Sequence, residues 1–328
     1  MSPVDLSTTA RPADRDRLDV RELARDALAG AEVLGDHRAV LGERPVWDDR
    51  AGALVWVDID GRAVHRWAGG DPARDAVLSA TSPVSVAWPT ASGGLLLATA
   101  DGLAVHDGTR LGAATRPEGM PTDYRFNDGG CDPAGRFWVA TQPRDGSAGR
   151  GVVHRVVAGP DGLEVSTPIT GVGLGNGIVW SPDGATMYLT DTDAQVLYRL
   201  PYDAATGTAG EAEPFLAFAA DGPGPDGTAV DAEGGLWVGV YGGGCVLRFT
   251  ADGTPAGAFA VPAPQVTCPG FGPAGSGTLY VTTASSGGSG TGGDALPGPS
   301  SEEDRLGGAV VRLRVDVDGT PVTAFADA

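Results

Sequence analysis

Glu43, Asn127, Asn176 and Asp226 are oxygen-bearing side chains that recur at nearly one position of a repeating sequence pattern. Glu43 stands 13 residues before Trp56, Asn127 12 before Val139, Asn176 13 before Leu189 and Asp226 12 before Val238, and each of those later residues centres a short apolar run. The matching place in the other two repeats holds Val84-Ser85 and Cys268. Residues at one register of a repeat that closes into a ring converge on its axis. Two carboxylates and two amides gathered in a cavity would repel one another and lose their bonds to water, at several kcal/mol per unpaired group, unless a cation sits among them. Hard oxygen donors without a His or Cys pair at ligand spacing favour calcium, magnesium or manganese over a structural zinc. His37, His65, His106 and His154 all fall off the register. Taken singly, Asn176-Gly177 or Asp226-Gly227 would also fit an ordinary turn, because Asn and Asp tolerate left-handed backbone and bond their own chain.

The elements that must hold these residues are β-hairpins. Turn sequences rich in Asp, Pro, Ser and Gly recur at 49–52, 91–94, 132–135, 181–184, 231–234 and 273–276, followed by strands centred on Trp56, Leu97, Val139, Leu189, Val238 and Val281. Successive centres lie 41 to 50 residues apart, the length of one four-stranded propeller blade. The fold class is therefore all-β, a six-bladed β-propeller over residues 31–328 with a short N-terminal extension over residues 1–30. In that extension Asp19 is placed to cap a short helix running to Leu28, and the first 18 residues read as flexible. A strand at Glu32–Leu34 is expected to pair with the C-terminal blade and lock the ring. Residues 285–308, full of Gly, Ser and Pro, read as a long loop inside the sixth blade, either a disordered insertion or a flap over the channel mouth.

Composition narrows the function. A net charge of −19 with only 23 Lys and Arg excludes a phosphate-backbone partner, so no nucleic acid is expected. Three cysteines, Cys131, Cys245 and Cys268, form no C-x-x-C pair and suit a reducing compartment; the expected localisation is cytoplasmic. The polar N-terminus lacks a signal-peptide core and no run approaches 18 apolar residues, so no membrane association is expected. Gly222 to Gly227 fits G-x-G-x-x-G but carries two prolines and leads into a strand, which argues against a dinucleotide site. The absence of G-x-S-x-G removes the nucleophile-elbow hydrolases.

Gly42-Glu43-Arg44-Pro45-Val46-Trp47, Arg125-Phe126-Asn127-Asp128-Gly129, Gly175-Asn176-Gly177 and Pro225-Asp226-Gly227, in that order and at blade spacing, resemble the gluconolactonase and regucalcin-like (SMP-30) family over residues 31 to 328. The resemblance implies one divalent metal ion in the channel, calcium first, with magnesium, manganese, zinc and iron as further candidates. By it Glu43, Asn176 and Asp226 are the metal ligands, Arg125 and Asn127 hold oxygens of the substrate, and Asp226 is also the proton acceptor. The implied reaction opens a sugar lactone, a small-molecule partner from carbohydrate metabolism, to its aldonic acid. The metal would polarise the carbonyl, and Asp226 or a hydroxide on the metal would supply the attacking water. A glutamate that such proteins often place after the second strand of the third blade has only Gln142 or Asp145 as counterpart here. The other reading is a non-catalytic calcium-binding or ligand-binding propeller of the regucalcin type, because the same ligands hold a cation without turnover. An interaction scaffold would not need converging carboxylates.

Overall fold

The computed structural model describes residues 2–13, 16–71, 74–145, 150–285 and 306–327. Six sheets, antiparallel apart from one added N-terminal strand, are arranged as the blades of a propeller, in chain order. Their inner strands are Gly42–Asp48, Val84–Pro89, Tyr124–Cys131, Gly175–Trp180, Gly224–Val230 and Val266–Phe271. The second strands are almost wholly buried, as in Ala53–Asp58 and Phe137–Pro143, because blade packs against blade on both faces. Apolar runs without alternation are what such a position selects. Trp138, Trp180 and Tyr202 meet edge to face between the third and fourth blades, with centroids 5.7 to 6.2 Å apart.

Where a hairpin turn carries an aspartate, that side chain shapes it. Asp132 Oδ1 accepts from Ala134 N and Arg136 N, and Asp231 Oδ1 does the same for Glu233 N and Gly235 N. Each thereby replaces backbone partners that a tight turn leaves unpaired. The ring closes as expected: Glu32–Leu34 pairs antiparallel with Val310–Arg314 as the outer strand of the sixth blade, so the first and last parts of the chain share one sheet.

The N-terminal residues differ from expectation. Val4–Asp5 forms a parallel fifth strand on the third blade, opposite Ile169–Thr170, and Leu6 is buried. Leu18 bridges Phe218 and Leu28 bridges Phe259, so the described part of the extension runs along the outer edges of the third, fourth and fifth blades. Its backbone is satisfied by those edges, which composition alone could not reveal. The helix capped by Asp19 spans only Val20–Leu23, because hydrogen bonds at Leu28 to Ala258 and Ala260 draw the chain out into extended pairing. Most of the expected 285–308 loop lies outside the described residues. No helix among the described residues is long and apolar enough to cross a membrane.

Buried His154 gives a test of the packing between the third blade's strands. Its Nδ1 is 3.0 Å from Thr167 Oγ1, its Nε2 has no partner among the described residues, and burial lowers its pKa to about 4 from an ordinary 6.5. A folded-state pKa below the unfolded value gives stability that is complete above about pH 6.5 and is lost as pH falls toward 4. Between pH 7.5 and 5 this one group is expected to remove about 2 kcal/mol. Urea unfolding of wild type and His154→Gln at the two pH values measures it, and the acid-dependent loss should shrink in the variant.

Candidate active site and metal centre

Every inner strand carries a register irregularity at the same depth: Glu43/Val46, Val84/Val86, Phe126/Gly129, Asn176/Val179, Pro225/Thr228 and Val266/Pro269. A bulge bends a strand and re-aims the side chains beside it. Glu43 and Asn176 are the last paired residues before the bulge, and Asn127 and Asp226 are the first residues inside it. The alternation of 13 and 12 in the sequence spacing is this one-residue difference. Asn176-Gly177 and Asp226-Gly227 are therefore bulge pairs within strands rather than turns. Gly177 sits at φ 54°, and a Cβ there would lie 2.5 Å from Thr190 Oγ1 and 2.6 Å from Thr228 Oγ1. Gly177→Ala is expected to cost about 1–3 kcal/mol in urea unfolding, from backbone strain and crowding.

The four oxygen-bearing side chains are buried, with relative exposures of 7% for Glu43, 9% for Asn127, 2% for Asn176 and 7% for Asp226. Asn127 Nδ2 donates to Asn176 Oδ1 at 2.7 Å and to Gly175 O at 3.1 Å, while its Oδ1 accepts from Arg125 Nη1 at 2.9 Å. Asn176 Nδ2 donates to Thr192 Oγ1 at 2.9 Å, and that hydroxyl donates to Pro225 O at 2.8 Å. Both amides are thus fixed, with oxygen and nitrogen assigned by their partners. The second lone pair of Asn176 Oδ1 remains available to a ligand.

The electrostatics are those of a site short of positive charge. Burial first, then the Asp128 carboxylate, raises the pKa of Glu43; burial first, then Glu43 and Asp128, raises that of Asp226. Neither carboxylate forms an ion pair among the described residues, although Arg44 N donates to Glu43 Oε2 at 2.9 Å. Arg44, at φ 43°, spans the channel below them. Its Nη1 lies 3.3 Å from Asp128 Oδ2, its Nη2 donates to Ile178 O at 3.3 Å, and its guanidinium lies 5.2 Å from the Trp88 ring centroid. Asp128 also accepts from Gly129 N and Gly177 N, both at 2.7 Å. Beneath this pair is a separate cavity of about 500 Å³, lined by Arg44, Trp88, Ile178 and Trp180 and by the C-terminal residues Gly319 and Thr323. That end of the chain crosses from the fifth blade to the second, where Trp88 Nε1 donates to Thr323 O at 2.9 Å.

Arg125 faces the other way. Its Nη1 donates to Phe126 O at 3.0 Å, and it feels the charges of Asp60, Glu43 and Asp226. Burial lowers its pKa to about 10, so it is a cation at neutral pH. With its amide oxygen turned toward the guanidinium, Gln142 accepts from Arg125 Nε at 3.3 Å. Of the two counterparts to the expected glutamate, Gln142 lies in the site and Asp145 is exposed at the strand end. Tyr241 adds a half-buried hydroxyl whose pKa rises to about 12 through burial, then Asp226 and Glu43.

The fold and site define a six-bladed propeller with a polar channel centre, and comparison with known proteins places it. The SMP-30/Gluconolactonase/LRE-like region model matches residues 41–285, and the chain belongs to that family. The pentonolactonase XacC of Haloferax volcanii is 39% identical over 284 residues, covering 86% of this chain and 93% of that protein. A 6-deoxy-6-sulfogluconolactonase of Pseudomonas putida is 34% identical over 307 residues, covering 88% and 96%. A crystal structure described as the calcium-binding protein regucalcin from Agrobacterium tumefaciens superposes with a TM-score of 0.80 at 29% identity, covering 91% of this chain and 99% of that one.

The residues present fit a divalent cation. Three buried carboxylates, Glu43, Asp128 and Asp226, face two guanidiniums, Arg44 and Arg125, and one of those carboxylates is already paired to Arg44. A cation bound between Glu43, Asn176 and Asp226 would satisfy the unpaired acids with oxygen donors of the hard type that calcium, magnesium and manganese take.

Proposed function

We propose that the chain is a metal-dependent sugar lactonase that hydrolyses an aldonolactone to its aldonic acid. The observation that carries the reading is the pair of buried carboxylates, Glu43 and Asp226, near enough for the charge of Glu43 to raise the pKa of Asp226, without an ion-pair partner among the described residues and at the same bulge depth as the fixed Asn176. Catalysing relatives named pentonolactonase and sulfogluconolactonase point to five- or six-carbon lactones. A cation held by Glu43, Asn176 and Asp226 would supply Lewis-acid polarisation of the lactone carbonyl and charge for the developing oxyanion. Arg125 binds a substrate oxygen with the one donor hydrogen that Phe126, Asn127 and Gln142 leave in place, and orients the ring. Asn127 has both donor hydrogens committed, so it would hold a substrate hydroxyl through the second lone pair of its Oδ1 while its amide locks Asn176 and Arg125.

Asp226 takes the proton of the attacking water as the water oxygen bonds to the carbonyl carbon. The ring C–O bond then breaks, a proton passes to the departing ring oxygen to give the hydroxyl, and the aldonic acid ionises. The test is acid release by the purified protein with a metal panel and glucono-, galactono-, xylono- and arabinonolactone. Metal-dependent release above the spontaneous rate supports the reading, and none would remove it. The regucalcin-type structure favours one other reading, calcium binding without turnover. Under that reading the metal binds and no lactone of the panel opens.

A further inference from the structure

Away from the channel, the folded chain brings together two histidines and an aspartate that its sequence keeps apart. His37 lies in the segment that crosses from the closing strand of the sixth blade to the first blade, Asp58 ends that blade's second strand, and His65 lies on its third. One ligand atom from each of the three lies within 4.8 Å of the others. The rings of His37 and His65 are 4.0 Å apart between centroids, and His65 stacks on Trp56 at 4.9 Å with 14° between planes. We propose that His37, Asp58 and His65 form a second cation site, for a borderline transition metal of the Zn²⁺ class, that clamps the ring closure to the first blade.

Two independent observations support the site. The first is an unsatisfied atom: His65 is 4% exposed, and its Nε2 is buried with no hydrogen-bond partner among the described residues. A lone buried polar atom loses its bonds to water without replacement, a cost that a metal bond relieves. The second is a comparison inside the molecule. Asp58 Oδ1 accepts from Leu41 N and Gly61 N, and among the described residues its Oδ2 accepts only from Val40 N, at 3.0 Å. Asp191 fastens the fourth blade in the same way, accepting from Gly173 N, Leu174 N and Ala194 N, yet the residue corresponding to His65 is there Tyr198. Fastening the crossing segment thus requires the aspartate alone. The histidines are additions to that device, and Asp58 Oδ2 keeps a lone pair facing them.

The donor types set the class of ion. Two imidazoles and one carboxylate suit Zn²⁺ and its neighbours, in a site completed by water, whereas the oxygen donors of the channel suit calcium and magnesium. His37 is exposed, so it can turn to close the ligand spacing and admits an ion from solvent. Because the ion would join residue 37 to residues 58 and 65, its binding should stabilise the closure of the ring.

The experiment titrates Zn²⁺ into chelator-stripped protein held in excess Ca²⁺, which occupies hard-oxygen sites, with binding followed by calorimetry and elemental analysis after dialysis. Wild type is expected to take up one Zn²⁺ with a raised Tm. His37→Ala, a surface change, and His65→Gln should each bind at least tenfold more weakly and lose the Tm increase, while His106→Gln keeps both. Unchanged Zn²⁺ affinity in a folded His37→Ala protein, or no Zn²⁺ uptake by wild type, overturns the proposal. The result is independent of the channel, since neither variant touches Glu43, Asn176 or Asp226 and lactone hydrolysis is not the readout.

Discussion

Asp226→Asn should lower kcat/KM for the best lactone of the panel by about 10²- to 10⁴-fold, the usual contribution of a positioned general base. The substitution keeps the shape of the side chain and an oxygen toward the ion, but the amide cannot take the proton of water. Metal affinity should fall by a smaller factor than activity. That split separates an enzyme from a protein that only binds a cation, in which affinity alone would change. Stopped-flow acid release alongside metal titration of the same preparation measures both. Equal loss of the two, cured completely by excess metal, would assign Asp226 a ligand role without base function.

The second large effect concerns stability. Asp128→Ala should destabilise the protein by about 3–5 kcal/mol, because it strands the Arg44 charge, 5% exposed, in the middle of the channel. The carboxylate also satisfies Gly129 N and Gly177 N on the two neighbouring bulges, so the loss reaches the backbone that aims Asn176. Replacing both members, Arg44→Met with Asp128→Leu, should cost less than Asp128→Ala, since no uncompensated charge remains. Urea unfolding in the presence of chelator compares them. A double variant less stable than the single would refute the account of the pair as a charge-balanced floor.

The fold was legible because one periodicity governs it. The spacing of apolar strand centres and of the turns rich in Gly, Asp, Pro and Ser pointed to blade number and order, and the pairing of Glu32–Leu34 with Val310–Arg314 follows from ring closure. The positions of Glu43, Asn127, Asn176 and Asp226 were legible for the same reason, with their spacing now explained by bulges in all six inner strands. What spacing could not reveal depends on contacts across the axis. Arg44 reaches Asp128 and Ile178 through space, 84 and 134 residues away along the chain. A charged residue within a buried apolar strand was the one signal for it. The packing of Val4–Asp5 and Leu18 on blade edges was hidden too, because a polar segment supplied with backbone partners looks in sequence like one without them. The histidines were set aside as off-register, which holds for the channel but not for the rim, where the strand ladder carries His65 to Asp58 and the crossing segment brings His37 beside them.

The central claim is that Glu43, Asn176 and Asp226 together hold one cation on which lactone opening depends. Its most direct test is acid release from pentono- and hexonolactones by chelator-stripped protein as Ca²⁺ or Mn²⁺ is added back, with Glu43→Gln and Asp226→Asn run in parallel. The account predicts a rate that is absent without metal, saturates at one ion per chain, and is lost in both variants. A rate that is the same with and without the ion, or unchanged when Glu43 is replaced, would contradict it.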